Sequence, residues 1–159
     1  AVQWPTGTGG KGNEGVSAFV QQLPGAIGYV EYAYAKQNKM AHVLMQNAAG
    51  NFVAPDDQAF KAAAVGAEWT KSGFYEILTN QPGKDAWPIT GATFILMHKV
   101  QDNSQQAAEV LKFFSWAYKN GGKLAEELDY VALPDGLIKV IEASWVTIKD
   151  GSGKLVVAK

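Results

Sequence analysis

Apolar positions along the chain switch between helical spacing and short continuous runs, the alternation expected of a mixed helix-and-strand protein. Val16, Phe19, Val20 and Leu23 recur at helical spacing and predict an amphipathic helix capped by Asn13, with Glu14 in its first turn and Pro24-Gly25 at its end. Residues 27–32 read as a short buried strand, and Gly28 inside it marks a close approach by another backbone. Residues 31–38 predict a short helix, with Tyr32, Tyr34 and Ala35 packing. Residues 42–46 predict a strand that turns at Ala48-Ala49-Gly50-Asn51 and pairs back through Phe52-Val53 as a hairpin. Pro55-Asp56-Asp57 opens a further helix that carries Phe60, Ala63 and Ala64 and ends near Gly66.

The second half has stronger signals. Residues 74–78 fit helix and strand equally, and Gln81-Pro82-Gly83 is a turn. Residues 93–99, TFILMHK, form the clearest strand, apolar almost throughout as for a strand covered on both faces. Asp102 to Ser104 offer caps for the longest helix, residues 105–119, with Val110, Phe113, Phe114 and Ala117 on its buried side and Gly121-Gly122 as its stop. A short turn or helix at 124–128 follows. Pro134-Asp135 starts the last helix, whose inward stripe is Leu137, Val140, Ile141, Ser144, Trp145 and Ile148. The tail GSGKLVVAK adds a short strand or frays. This order of elements gives an α/β class, without internal repeats, and the best internal boundary lies at residues 81–88.

Composition narrows the function classes. The 159 residues carry a net charge of −1, so no electrostatic footprint favours nucleic acid or an anionic membrane. No apolar run is long enough to span a bilayer. Cysteine is absent, which excludes disulfides and thiolate metal sites. The chain begins abruptly at AVQWPTG, which suggests a start in the middle of a longer protein.

Catalytic patterns are missing. His42 and His98 lie far apart, and no His/carboxylate group has ligand spacing, so no metal is expected. There is no Gly-x-Ser-x-Gly elbow, and the acid pairs Asp56-Asp57 and Glu126-Glu127 read as helix-start and solvent-face charges. The glycine run Gly7 to Gly12 is the nearest thing to a ligand loop. It lacks the Ser/Thr that a phosphate loop places after its lysine, and no strand precedes it as a dinucleotide fingerprint requires. A structural turn is the favoured reading. The lesser one is an anion nest formed by Gly9, Gly10, Gly12 and Asn13 at a helix N-terminus. Trp116, Trp145 and Tyr29 could clamp a ligand, although core packing is the simpler role.

Three long stretches carry a more specific signal. WPTGTGGKGNEGVSAFVQQLPGAIGYVEYAYAKQN, DAWPITGATFILMHK and VLKFFSWAYKNGGKLAEELDYVALPDGLIKVIEASW resemble, in the same order, periplasmic phosphate-binding proteins of bacterial phosphate ABC transporters. The resemblance covers essentially the whole chain, yet only the C-terminal part of such a protein. It implies portions of the two α/β lobes of a type II periplasmic-binding-protein fold, with residues 1–86 mainly in the second lobe and 87–159 mainly in the first. It also implies a non-catalytic periplasmic receptor for inorganic phosphate that needs no cofactor and delivers its load to a membrane permease.

In that family the anion is gripped by a Thr-Phe loop, a serine-rich helix start, an aspartate, and an arginine followed by Gly-Ser-Gly-Thr. Those segments lie earlier in the family's sequence than the part this chain resembles, and the chain has no arginine. No phosphate ligand can therefore be transferred to a residue of this sequence. Incomplete sheets would leave bare apolar faces, so the expected partner is the missing N-terminal half or a second copy. The alternative role is that of an oligomerising scaffold that binds no phosphate by itself.

Overall fold

The computed structural model describes residues 3–156. They form two compact units. One comprises the residues up to Val43 together with Leu128–Tyr130, and the other comprises the remainder.

The first unit is built on two helices, α1 (Gly12–Gln22) and α2 (Tyr32–Gln37). Gly12, at φ +67°, makes the bend into α1, so the helix starts earlier than its sequence suggests and Lys11 precedes it without a side-chain cap. Asn13 is therefore not the cap of α1. Its Oδ1 instead accepts the Glu31 N–H at 2.9 Å, at the entrance to α2. The segment between the helices is not a buried strand. Ile27 is 92% and Tyr29 74% exposed, because no described residue offers a ladder for it to join. Gly28 does meet a close neighbour, but a side-chain one. A Cβ there would lie 2.7 Å from Val20 Cγ2 and 2.8 Å from Val16 Cγ1. Residues 128–130 join this unit through Asp129, which takes Lys36 Nζ at 2.7 Å and Gln37 Nε2 at 3.2 Å.

The second unit opens with a hairpin. Strands β1 (Met45–Gln46) and β2 (Phe52–Val53) pair antiparallel, Met45 opposite Val53, so the expected strand over 42–46 shortens to its last two residues. Helix α3 (Asp57–Val65) follows, with Asp56 as its cap. The loop after it returns over α3, where Trp87 N–H donates to Ala59 O at 3.0 Å.

Residues 91–98, expected to hold the clearest strand, have neither helix nor ladder. Pairing begins after them, at β3 (Val100–Gln101), which runs parallel to β4 (Lys149–Asp150). Between these come α4 (Ser104–Asn120), α5 (Gly122–Glu127) and α6 (Asp135–Ser144), the last continued by a 3-10 turn at Trp145–Thr147. Leu155 folds back antiparallel on Lys149. The tail thus adds a bridge, and the last three positions of the expected tail strand, 157–159, lie outside the described residues.

Alanines share the interior with Leu78, Trp87, Leu111, Leu137, Ile148 and Val156. Ala63 and Ala86 have no exposed surface, and no large side chain is fully buried among the described residues. One cluster joins Ala107, Leu111, Ile148 and Val156. A second joins Ala64, Leu78 and Leu137. The buried stripe of α4 is therefore Ala107 and Leu111. Phe113 is 58% exposed, contrary to the pattern, and stacks on the equally open Trp116 at 6.3 Å. The chain exposes 11427 Å². A compact monomer of this mass exposes about 7,800 Å², and two separate compact bodies of these sizes about 9,200 Å². Among the exposed apolar residues, Ile27, Tyr29, Val43, Leu44, Ile95 and Leu96 are all more than half exposed.

Candidate functional site

The glycine loop before α1 is the first place to look for an anion, since a helix N-terminus offers unpaired N–H groups and a positive dipole end. Its four candidate residues play different parts. Gly9 is exposed, with nothing near the position of a Cβ. Gly10 lies against the first turn of α1, where a Cβ would come 2.5 Å from Val16 N and 2.6 Å from Gly15 C. Gly15 N–H closes that turn on Lys11 O at 3.1 Å. Gly10 and Gly15 thus let the loop lie backbone to backbone on its own helix, a contact that any side chain would break. Gly12 provides the left-handed bend, and Asn13 is engaged with Glu31.

Glu14 supplies the negative charge at this helix end. A Cβ on Gly12 would sit 2.9 Å from Glu14 Oε2, so the carboxylate folds back over the turn. Its own backbone N–H and then the Tyr34 hydroxyl, which donates to Oε1 at 2.9 Å, hold its carboxyl below the usual range. The same bond pushes the Tyr34 hydroxyl up. An oxyanion arriving here would meet a carboxylate already in place.

Two cavities lie in the second unit. One, of about 480 Å³, is lined by Gly66, Glu68, Lys71, Ser72, Glu76, Gln81 and Pro82. Lys71 is paired with Glu68, Ser72 Oγ donates to Trp69 O, and Gln81 donates to Glu76 and Ile77 O. Its two carboxylates outnumber its one lysine, which repels phosphate. The other, of about 570 Å³, borders residues 97–103 and the start of α4. Asn103 Oδ1 there already caps Gln106 N–H at 3.0 Å. Neither cavity gathers a cation, hydroxyls and free N–H groups around one point, as an oxyanion site requires.

The remaining candidates are scattered. No group of three His or carboxylate residues among the described residues could hold a metal ion. His42 lies edge-on to Tyr32 at 6.3 Å, whereas His98 belongs to the second unit. Trp145 stacks on Tyr118 at 6.5 Å, whose hydroxyl is pushed up by burial and then by the Glu142 carboxylate. Tyr29 and Trp116 are exposed and do not pack in a core.

Sequence reading misses two anchoring residues. Asp129, at φ +62°, is held below the usual carboxylate range by the Lys36 hydrogen bond and then by Gln37. Asn47 is buried and hydrogen-bonds Gly83 O, Lys84 O and Ala86 O at 3.2, 2.9 and 3.2 Å. The signal for Asn47 is an asparagine placed just before a glycine turn.

With no oxyanion-binding set of groups gathered at the loop or in these two cavities, comparison with known proteins decides the direction. The phosphate-binding protein PstS of Pasteurella multocida is 51% identical over 156 residues, 97% of this chain. Identity is too extensive for a shared fold alone. The chain resembles phosphate-binding proteins. PstS of Xylella fastidiosa strain 9a5c is 52% identical and that of Haemophilus influenzae 51%, each over 92% of this chain. The chain spans less than half the length of these PstS relatives, 45%, 41% and 44% in the order given. No family model matches it. No helix among the described residues is long and apolar enough to cross a membrane.

Proposed function

We propose that this chain is one portion of a periplasmic phosphate receptor serving an ABC-type importer, and that it catalyses no reaction. The observation that carries the reading is the 51% identity to a phosphate-binding protein over 97% of the chain. In this reading inorganic phosphate sits in a cleft between two lobes of a type II binding-protein fold. Residues 1–86 contribute mainly to the second lobe and 87–159 mainly to the first, and a membrane permease reads the loaded state. The groups that grip the anion belong to the part of the receptor that this chain does not represent. Three features support that division. Arginine is absent from the sequence, both cavities lack an anion-binding set of groups, and Glu14 stands at the glycine-rich start of α1. The glycine loop is then a clasp on α1, and Gly9, Gly10, Gly12 and Asn13 shape the backbone without holding phosphate.

Titration calorimetry tests the reading. Phosphate added to the chain alone should give no saturable heat. Phosphate added to the chain co-expressed with the remaining part of the Pasteurella multocida relative should give saturable, stoichiometric binding. Submicromolar affinity in the chain alone would overturn the division of labour. A second reading, an oligomerising scaffold that binds no phosphate, is favoured by the exposed apolar residues alone. It requires assembly by light scattering together with no binding in either sample.

A further inference from the structure

Asp129 ties together two stretches that lie far apart in the chain. Its carboxylate takes Lys36 Nζ at 2.7 Å and Gln37 Nε2 at 3.2 Å, across 92 positions of sequence. Lys36 and Gln37 are the last two residues of α2, and all three residues lie in the first unit. Burial does not anchor this segment, since Leu128 and Tyr130 on either side of Asp129 are 62 and 54% exposed. Neither apolar cluster draws a residue from 1–43. Polar contacts therefore fasten residues 128–130 to the end of α2. Such a contact can open as well as form. The Asp129 side chain is 16% exposed but that of Lys36 is 50% exposed, so water can take the place of the carboxylate around the ammonium. Asp129 also holds φ +62°, a backbone conformation open to glycine, asparagine and aspartate and costly for most other residues. An aspartate at this position thus supplies both the turn and the charge.

We infer that Lys36, Gln37 and Asp129 form a latch between the two lobes of the phosphate receptor, made when the lobes close on the anion and broken when they part. The inference rests on the functional reading above, which puts Lys36 and Gln37 in the second lobe and Asp129 in the first. On that division the latch joins the lobes through side chains, separately from the crossover of the chain near residues 81–88. A packed apolar core resists repeated opening, whereas an ion pair and one hydrogen bond, half in water, exchange readily with solvent. The latch contributes only to the closed state, so it shifts the balance between open and closed by its own free energy. Phosphate arrives before closure and leaves after opening. The latch therefore slows departure and leaves arrival unchanged.

Stopped-flow kinetics of inorganic phosphate on the chain co-expressed with the remaining part of the Pasteurella multocida relative test the latch. Asp129→Asn keeps the left-handed turn and nearly the same shape but removes the charge. It should speed phosphate dissociation by at least about threefold and leave the association rate and the urea midpoint nearly unchanged. Lys36→Met should act in the same direction. The double variant should dissociate no faster than the faster of the two single variants, because both remove one interaction. Added sodium chloride should speed dissociation from the parent complex and not from the double variant. Equal dissociation rates in the parent and Asp129→Asn would overturn the latch and leave the receptor reading standing. Multiplying effects of the two single variants would overturn it too, since the residues would then act apart. A lowered urea midpoint with an unchanged dissociation rate would reduce Asp129 to a structural tie and overturn it likewise. A parent complex that binds no phosphate would sink the receptor reading, and the latch with it.

Discussion

Asn47 ties two distant loops together with one side chain. Its two amide hydrogens serve three carbonyls, those of Gly83, Lys84 and Ala86, so one of them is shared. Its Oδ1 accepts the N–H groups of Ala49 and Asn51, both at 3.1 Å, inside the hairpin turn. Asn47→Ala removes all five bonds. Gly83 O keeps the Ala86 N–H and Lys84 O keeps Asn51 Nδ2, but the buried bond to Ala86 O and those to the turn N–H groups are lost, which should destabilise the chain by about 1–3 kcal/mol, read from the urea unfolding midpoint. The local half of this role is legible in the sequence, because an asparagine before Ala-Ala-Gly sets up an Asx turn. The reach to residues 83–86 depends on how the chain returns, which no local pattern records. Asn13 shows the same division. Its place near a helix start is visible in the sequence, but its bond to Glu31 N–H depends on the placement of α2.

Helices follow from the sequence far better than strands do. The caps of α3 and α4 are both readable: Asp56 Oδ1 accepts Ala59 N–H at 2.8 Å, and Asn103 serves α4 in the same way. Asp56→Ala should therefore cost about 1 kcal/mol, a drop in thermal midpoint that Asp56→Asn largely recovers, since asparagine keeps an accepting oxygen. Capping and helical periodicity are local, so a single sequence holds them. A ladder is not local. Residues 93–98 have the side-chain preferences of a strand, but a strand forms only against a neighbour, and none is provided by the described residues. The face of α4 misleads as well. Phe113 is apolar at a plausible core position, yet it is 58% exposed and stacks on Trp116 along the open face of the helix.

At the scale of the molecule, function is legible in long ordered stretches and invisible in local chemistry. Neither the glycine loop nor the two cavities described above gathers an oxyanion-binding set of groups, yet about half of the residues match a phosphate-binding protein along nearly the whole chain. In the proposed receptor the cleft is assembled from distant parts of a longer chain, which leaves little of its chemistry in any one stretch. The open surface has a consequence that calorimetry can read. Because the chain leaves 11427 Å² exposed, where a compact monomer of its mass exposes about 7,800 Å², unfolding releases less new surface to water than usual, and it is the apolar part of that release which raises heat capacity. The heat-capacity increment of the isolated chain in scanning calorimetry should fall well below the usual ~12–15 cal/mol/K per residue. Its stability curve should accordingly be shallow, changing little from cold to warm.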